Sequence, residues 1–254
     1  MILITRTVPF LIGVLTAVLL YALSLWPSAI PFLTLLAAFL VALGVGRLAG
    51  FGKDLEGWWH VAMTPVAFVV ATALFLLFVE ADILFMVIPV LAGLFLFFFS
   101  EHLFRFVHLP GLYQPYALEH TSLVLHAATM YFLATTFFGL QIFLQAPVWL
   151  LAIAFVFVSG ALVYETLWVS KIRDTFALRA AGVLGLVLGE VFLVFALQPV
   201  SFFVSGAALA IIFYVLLGMV RASSLQKLSD TVLKRYLVTG AALLFIVLVS
   251  AQWV

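Results

Sequence analysis

The chain has 254 residues, of which 67% are hydrophobic and only 8% charged, with a net charge of +1 and no cysteine. A soluble domain is about 25% charged and about 45–50% apolar, so a chain of this composition has lipid for a solvent. The charge balance gives no reason to expect a nucleic-acid partner, and the missing thiols exclude disulfides, thiolate metal sites and cysteine nucleophiles.

A spanning helix needs about 20 mostly apolar residues. Arg6 precedes an apolar run with no small-residue cleavage site after it, which predicts a retained first span rather than a leader. Residues 8–46 carry no charge and are broken at Trp26-Pro27-Ser28 and Pro31, giving spans over 8–26 and 30–48. Spans over 61–79 and 83–100 follow, separated by Glu80 and Asp82. The next run is uncharged apart from His126 and splits at Gln145-Ala146-Pro147, giving spans over 118–144 and 147–169. Gln198-Pro199 divides spans over 176–197 and 200–220, and a last span covers 236–254. In lipid only helices satisfy their own backbone within one segment. The predicted fold is therefore all-α: a polytopic integral membrane bundle of about nine transmembrane helices, residues 1–254 forming one domain, in a plasma or inner membrane.

All eleven Lys and Arg lie at the N-terminus or in and beside the longer connections, 49–60, 101–117, 170–175 and 221–235. None lies at the tight turns near 27–29, 80–82, 145–147 and 198–199. The positive-inside rule then predicts a cytoplasmic N-terminus and an outside C-terminus. Leu225, Leu228 and Val232 recur at helical spacing, which predicts a short interfacial helix over 221–235 or an extension of the last span.

Residues 100–126, "SEHLFRFVHLPGLYQPYALEHTSLVLH", hold four of the five histidines. The pattern Glu-His followed by His six residues later occurs twice, at Glu101-His102 with His108 and at Glu119-His120 with His126. The predicted orientation puts these groups at the cytoplasmic level with His60, Glu56, Arg105 and Glu165. The ordinary explanation is that membrane interfaces collect polar residues. Leu103, Phe104, Phe106, Val107 and Leu109 beside Pro110-Gly111 predict that 101–117 lies flat on the membrane surface.

At 100° per residue, Glu119, Ser122, His126, Thr129, Thr136 and Gln141 fall on one face of the fifth span. Lipid does not tolerate such a face, so it should point into the bundle. Serines and threonines in such a stripe are commonly packing groups, whereas His and Glu cost more to bury and more often mark a site. Glu119 and His126 are expected to line one cytoplasm-facing pocket, roofed by 101–117. His60, Glu101, His102, Arg105, His120 and Glu165 are expected at its rim. Glu190 lies well inside the seventh span with no basic residue at its depth. It is expected to be neutral, to face other helices, and to hydrogen-bond Gln141 or a threonine. Gly182, Gly185 and Gly189 would permit close helix approach there.

His120 and His126 are six residues apart and diverge around a helix, so they do not form a metal pair by themselves. A metal site would have to draw on separate segments, for example His60, His126 and Glu165, and a haem on His60 or His126. "SEHLFRF" resembles half of the first motif of the CAAX-type intramembrane proteases, with Glu101 and Arg105 matching its second Glu and its Arg. Ser100 replaces the first Glu and no histidine follows residue 126, so the resemblance does not extend to an active protease. The leading functional reading is a small transporter or permease-like protein that uses Glu190, Gln141 and the fifth-span stripe as a polar route through the bundle. Glu190 would be either a structural hydrogen-bonding group or a proton-coupling carboxylate. The alternative is a binding or scaffold protein whose Glu/His pocket takes a metal, a haem, a lipid head group or a protein partner. A membrane-embedded lipid-processing enzyme comes third. A membrane-protein partner or a second copy of the chain is open to any of them.

Overall fold

The computed structural model describes residues 2–53, 57–172, 175–226 and 228–251. Glu56, Arg173 and Lys227, which entered the charge pattern, and the last three residues of the final predicted span lie outside the described residues. Among the described residues the chain forms nine long helices and no strand. They are α1 (Ile2–Leu25), α2 (Ile30–Leu48), α3 (Trp58–Leu76), α4 (Asp82–His108), α5 (Ala117–Leu144), α6 (Val148–Val169), α7 (Thr175–Ala196), α8 (Phe202–Ser224) and α9 (Asp230–Val249). Each is long and apolar enough to cross a bilayer, and the protein is a multi-span membrane protein.

The breaks fall where the sequence removes a donor or bends the chain. Pro31 sits in the first turn of α2, where its missing N–H costs nothing. Gln145 takes the left-handed conformation (φ 51°) just before Pro147, which ends α5 and caps α6. Ser229 accepts the Val232 N–H at 3.3 Å and so caps α9. One boundary differs from expectation, and at another the structure takes one of the two expected forms. α4 does not stop at residue 100 but continues as helix to His108. Nothing breaks it earlier, whereas Pro110 pushes Leu109 out of the helical region (φ −136°, ψ 58°). Residues 101–108 are therefore two more turns of α4, not a helix lying flat. Over 221–235, α8 runs on to Ser224 and α9 starts at Asp230, so the extension of the last span is the form adopted.

The helices group into two compact units, Met1–Thr129 and Met130–Val254, the boundary falling within α5. In the first, α1 and α4 pack antiparallel at Gly13 and Gly93. A Cβ on Gly93 would lie 2.5 Å from the Gly13 carbonyl oxygen and 2.9 Å from Ala17 Cβ, so only glycine lets these backbones touch. α2 packs on α1 and α3. In the second, α6 and α7 cross just as closely: a Cβ on Gly185 would lie 2.8 Å from the Val156 carbonyl oxygen. Gly189 also faces α6, but Gly182 has open space beside it. An aromatic stack fills this unit's interior. Phe192 lies 4.6 Å from Phe138 and 5.0 Å from Phe155, both nearly parallel to it. α9 packs on α8 and otherwise shows an apolar surface.

Candidate functional site

The polar stripe of α5 is buried from Glu119 to Thr136 and half-buried at Gln141. Glu119 keeps 8% of its surface exposed, Ser122, His126 and Thr129 each 1%, and Thr136 2%. A helix apolar on its other faces turns its polar face to protein, as lipid requires.

The stripe begins at a tied loop. Residues 109–116 join α4 to α5, and Tyr113 within them reaches back to the first turn of α5. Its hydroxyl donates to Glu119 Oε2 at 3.1 Å and accepts the Leu118 N–H at 3.1 Å. Its ring meets the edge of Phe106 with centroids 5.1 Å apart. Burial raises the Tyr113 phenol above its ordinary pKa of 10.0; the Leu118 N–H opposes this and the Glu119 carboxylate adds to it. Glu119 in turn sits in the first turn of α5, where a carboxylate complements the helix dipole.

Two turns further in, His126 Nδ1 lies 2.7 Å from the Ser122 carbonyl oxygen. A carbonyl can only accept, so Nδ1 carries a proton and, in the neutral ring, Nε2 presents a bare lone pair. That Nε2 is buried and has no hydrogen-bond partner, and neither has Ser122 Oγ. Each such orphan costs about 1–3 kcal/mol unless something satisfies it. The rest of the stripe is quiet. Thr129 and Thr136 bond back to Leu125 O and Phe132 O in their own helix at 2.7 and 2.8 Å. Gln141 Nε2 donates to Ala196 O at 2.9 Å.

The two Glu-His pairs do not form one inlet. Because α4 stays helical through residue 108, Glu101 and His102 line a cavity of about 390 Å³ with Arg6, Phe97, Phe98 and Arg105. There Arg105 Nε donates to Glu101 Oε1 at 2.8 Å. His108 packs against Phe104, and its Nε2 is buried without a partner. In the second pair Glu119 is buried but His120, 100° further round the helix, is exposed. His60 is buried at the start of α3 and stacked on Trp59 with centroids 3.4 Å apart. Glu165, in the second unit, is half-buried.

Glu190 requires a correction. It lies on the exposed side of α7, one residue past the glycine that packs on α6, so its side chain points about 100° away from that contact. It makes no hydrogen bond among the described residues, and the Gln141 amide donates to Ala196 instead. No group of three His, Asp or Glu able to hold a metal ion forms among the described residues. Sequence reasoning missed Tyr113, and also Thr64 and Ser100, whose hydroxyls are buried without partners. The one signal for Tyr113 was its place six residues before Glu119, in a loop too short to wander.

No curated protein and no solved structure matches the chain. The model of the family described as "Protein of unknown function (DUF5656)" matches residues 17–250, nearly the whole length, and the chain belongs to that family.

Proposed function

We propose that this protein binds a small hydrogen-bond-donating molecule inside its first unit, at Ser122 and His126 of α5. The observation that carries this reading is the pair of buried, unpartnered atoms one helical turn apart, His126 Nε2 and Ser122 Oγ. The bare Nε2 lone pair accepts from an alcohol, an amine or a water and repels a carboxylate, while the Ser122 hydroxyl can donate to or accept from the same molecule. Glu119, held by Tyr113 at the end of the stripe, adds negative charge on the way in and favours a neutral or cationic ligand.

Carbethoxylation of the protein in membranes, mapped peptide by peptide, tests this. His126 should react at Nε2 despite its burial, with His120 as the exposed reference. A His126 that stays unmodified while His120 reacts fully would mean the site is closed packing and takes no ligand.

The transporter reading rests on the continuation of polar positions along the same face of α5, buried at Thr129 and Thr136 and half-buried at Gln141. It makes Ser122 and His126 stations on a route. Proteoliposomes loaded with a pH-sensitive dye distinguish the two, since a route gives a flux that His126→Leu abolishes. The one-sided Lys and Arg support a cytoplasmic N-terminus in a plasma or inner membrane, and a reporter on the chain's C-terminus should then be active only outside.

A further inference from the structure

The groove between α1 and α4 has two compartments in line. One is an apolar trough of about 320 Å³ with Gly13 and Gly93 at its floor and Phe10, Val14, Val90 and Leu94 on its walls. The other is the cavity of about 390 Å³ that holds Arg6, Glu101, His102 and Arg105. Phe97 lines both, so they are neighbours along the same pair of helices.

We infer that this groove holds one anionic phospholipid, with the phosphate at Arg6, Arg105 and His102 and one acyl chain lying in the Gly13–Gly93 trough. Charge selects the head group. Arg6 makes no ion pair among the described residues, and Arg105 has Glu101 as its partner. The basin thus carries one positive charge in excess, which a single phosphodiester neutralises. A choline or ethanolamine ammonium would find only Glu101, whose Oε1 already accepts from Arg105. Length selects the tail. Arg6 to Ala17 spans roughly 16 Å along α1, about one leaflet of a 30 Å hydrocarbon core. The two glycines bring the backbones into contact, so the trough has main chain rather than side chain at its floor. This site is separate from Ser122 and His126 and stands whether or not they bind a ligand.

The test is native mass spectrometry of the full, delipidated chain titrated with phosphatidylglycerol or phosphatidylcholine of identical acyl chains. One phosphatidylglycerol should bind about tenfold more tightly than phosphatidylcholine, the worth of one charge-assisted contact. Arg6→Gln should remove that preference. Val14→Trp, which fills the trough from its open side, should weaken both lipids. Equal binding of the two lipids, or an unchanged preference in folded Arg6→Gln and Arg105→Gln, overturns the inference. Competition by glycerol 3-phosphate as strong as by phosphatidylglycerol overturns the acyl-chain part. Phosphatidylglycerol carrying a diazirine in its acyl chain keeps the test open if a variant does not fold. In the wild-type protein it should label peptides 7–17 and 90–97, and labelling elsewhere rejects the site.

Discussion

The two units are built of the same material and filled differently. Among the described residues, the first buries His60, Glu119 and His126 together with six hydroxyl side chains. Among them, the buried polar side chains of the second are all hydroxyls, and its centre is the Phe138–Phe192–Phe155 stack. Of the six buried side-chain polar atoms left without a hydrogen bond among the described residues, five belong to the first unit: Thr64 Oγ1, Ser100 Oγ, His108 Nε2, Ser122 Oγ and His126 Nε2. The difference separates two uses of burial. The second unit closes its interior with aromatic packing, which lipid cannot replace because ring contacts depend on fit. The first keeps unmet hydrogen-bonding groups in a place where each one opposes folding, and a folded chain tolerates that where the groups serve something else.

Substitutions can break that contrast, beginning with the largest effect. Phe192→Ala removes the middle ring of the stack. Lipid cancels most of the transfer gain, so the loss is packing alone, about 2 kcal/mol, seen as a lower unfolding temperature in detergent. Tyr113→Phe keeps the ring and deletes the bridge to Glu119 and Leu118. It should cost about 1 kcal/mol, and a variant as stable as the wild type would mean the bridge does not form.

Glu190→Leu should raise stability by on the order of 1 kcal/mol, because an exposed carboxylate on a spanning helix gives way to an apolar side chain. Destabilisation instead would place Glu190 against a second copy of the chain. The smallest change in stability is expected for His126→Leu. It removes an orphaned atom at nearly constant shape and should leave unfolding within about 0.5 kcal/mol of wild type while abolishing carbethoxylation at that position. A large loss would make His126 a structural group like those of the second unit.

The tied loop also gives a pH signature. The folded protein raises the Tyr113 pKa above the unfolded value of 10.0. The neutral phenol is therefore favoured on folding. Its contribution is fully present below pH 10 and is lost as pH rises through the folded pKa. Wild type and Tyr113→Phe should thus converge in stability only in strong alkali.

The nine helices were legible because lipid leaves one backbone solution and marks it with long apolar runs. The stripe of α5 was legible for a related reason: a few polar residues at helical spacing in an apolar segment define a face. The end of α4 was not, since Glu101 and Arg105 stop a hydropathy run while the helix itself stops only where Pro110 forces it to. The direction of Glu190 was obscured because α7 is apolar nearly all round, although Gly189 beside it already marked the packed side. The Tyr113 bridge depends on how a short loop folds back, which side-chain spacing does not specify.

The length of α4 has a consequence for the membrane that houses it. Its 27 residues extend about 40 Å, against a hydrocarbon core of about 30 Å. The uncharged part between Asp82 and Glu101 covers only roughly 27 Å of that. The final two turns, with Glu101, Arg105 and His108, therefore stand at the level of the head groups or beyond them. In a thicker bilayer hydrocarbon would rise over Arg105, and the helix would have to straighten or pinch the leaflet around it; in a thinner one it would tilt. The chain thus carries a preferred bilayer thickness, set by the distance between one aspartate and one glutamate on a single helix.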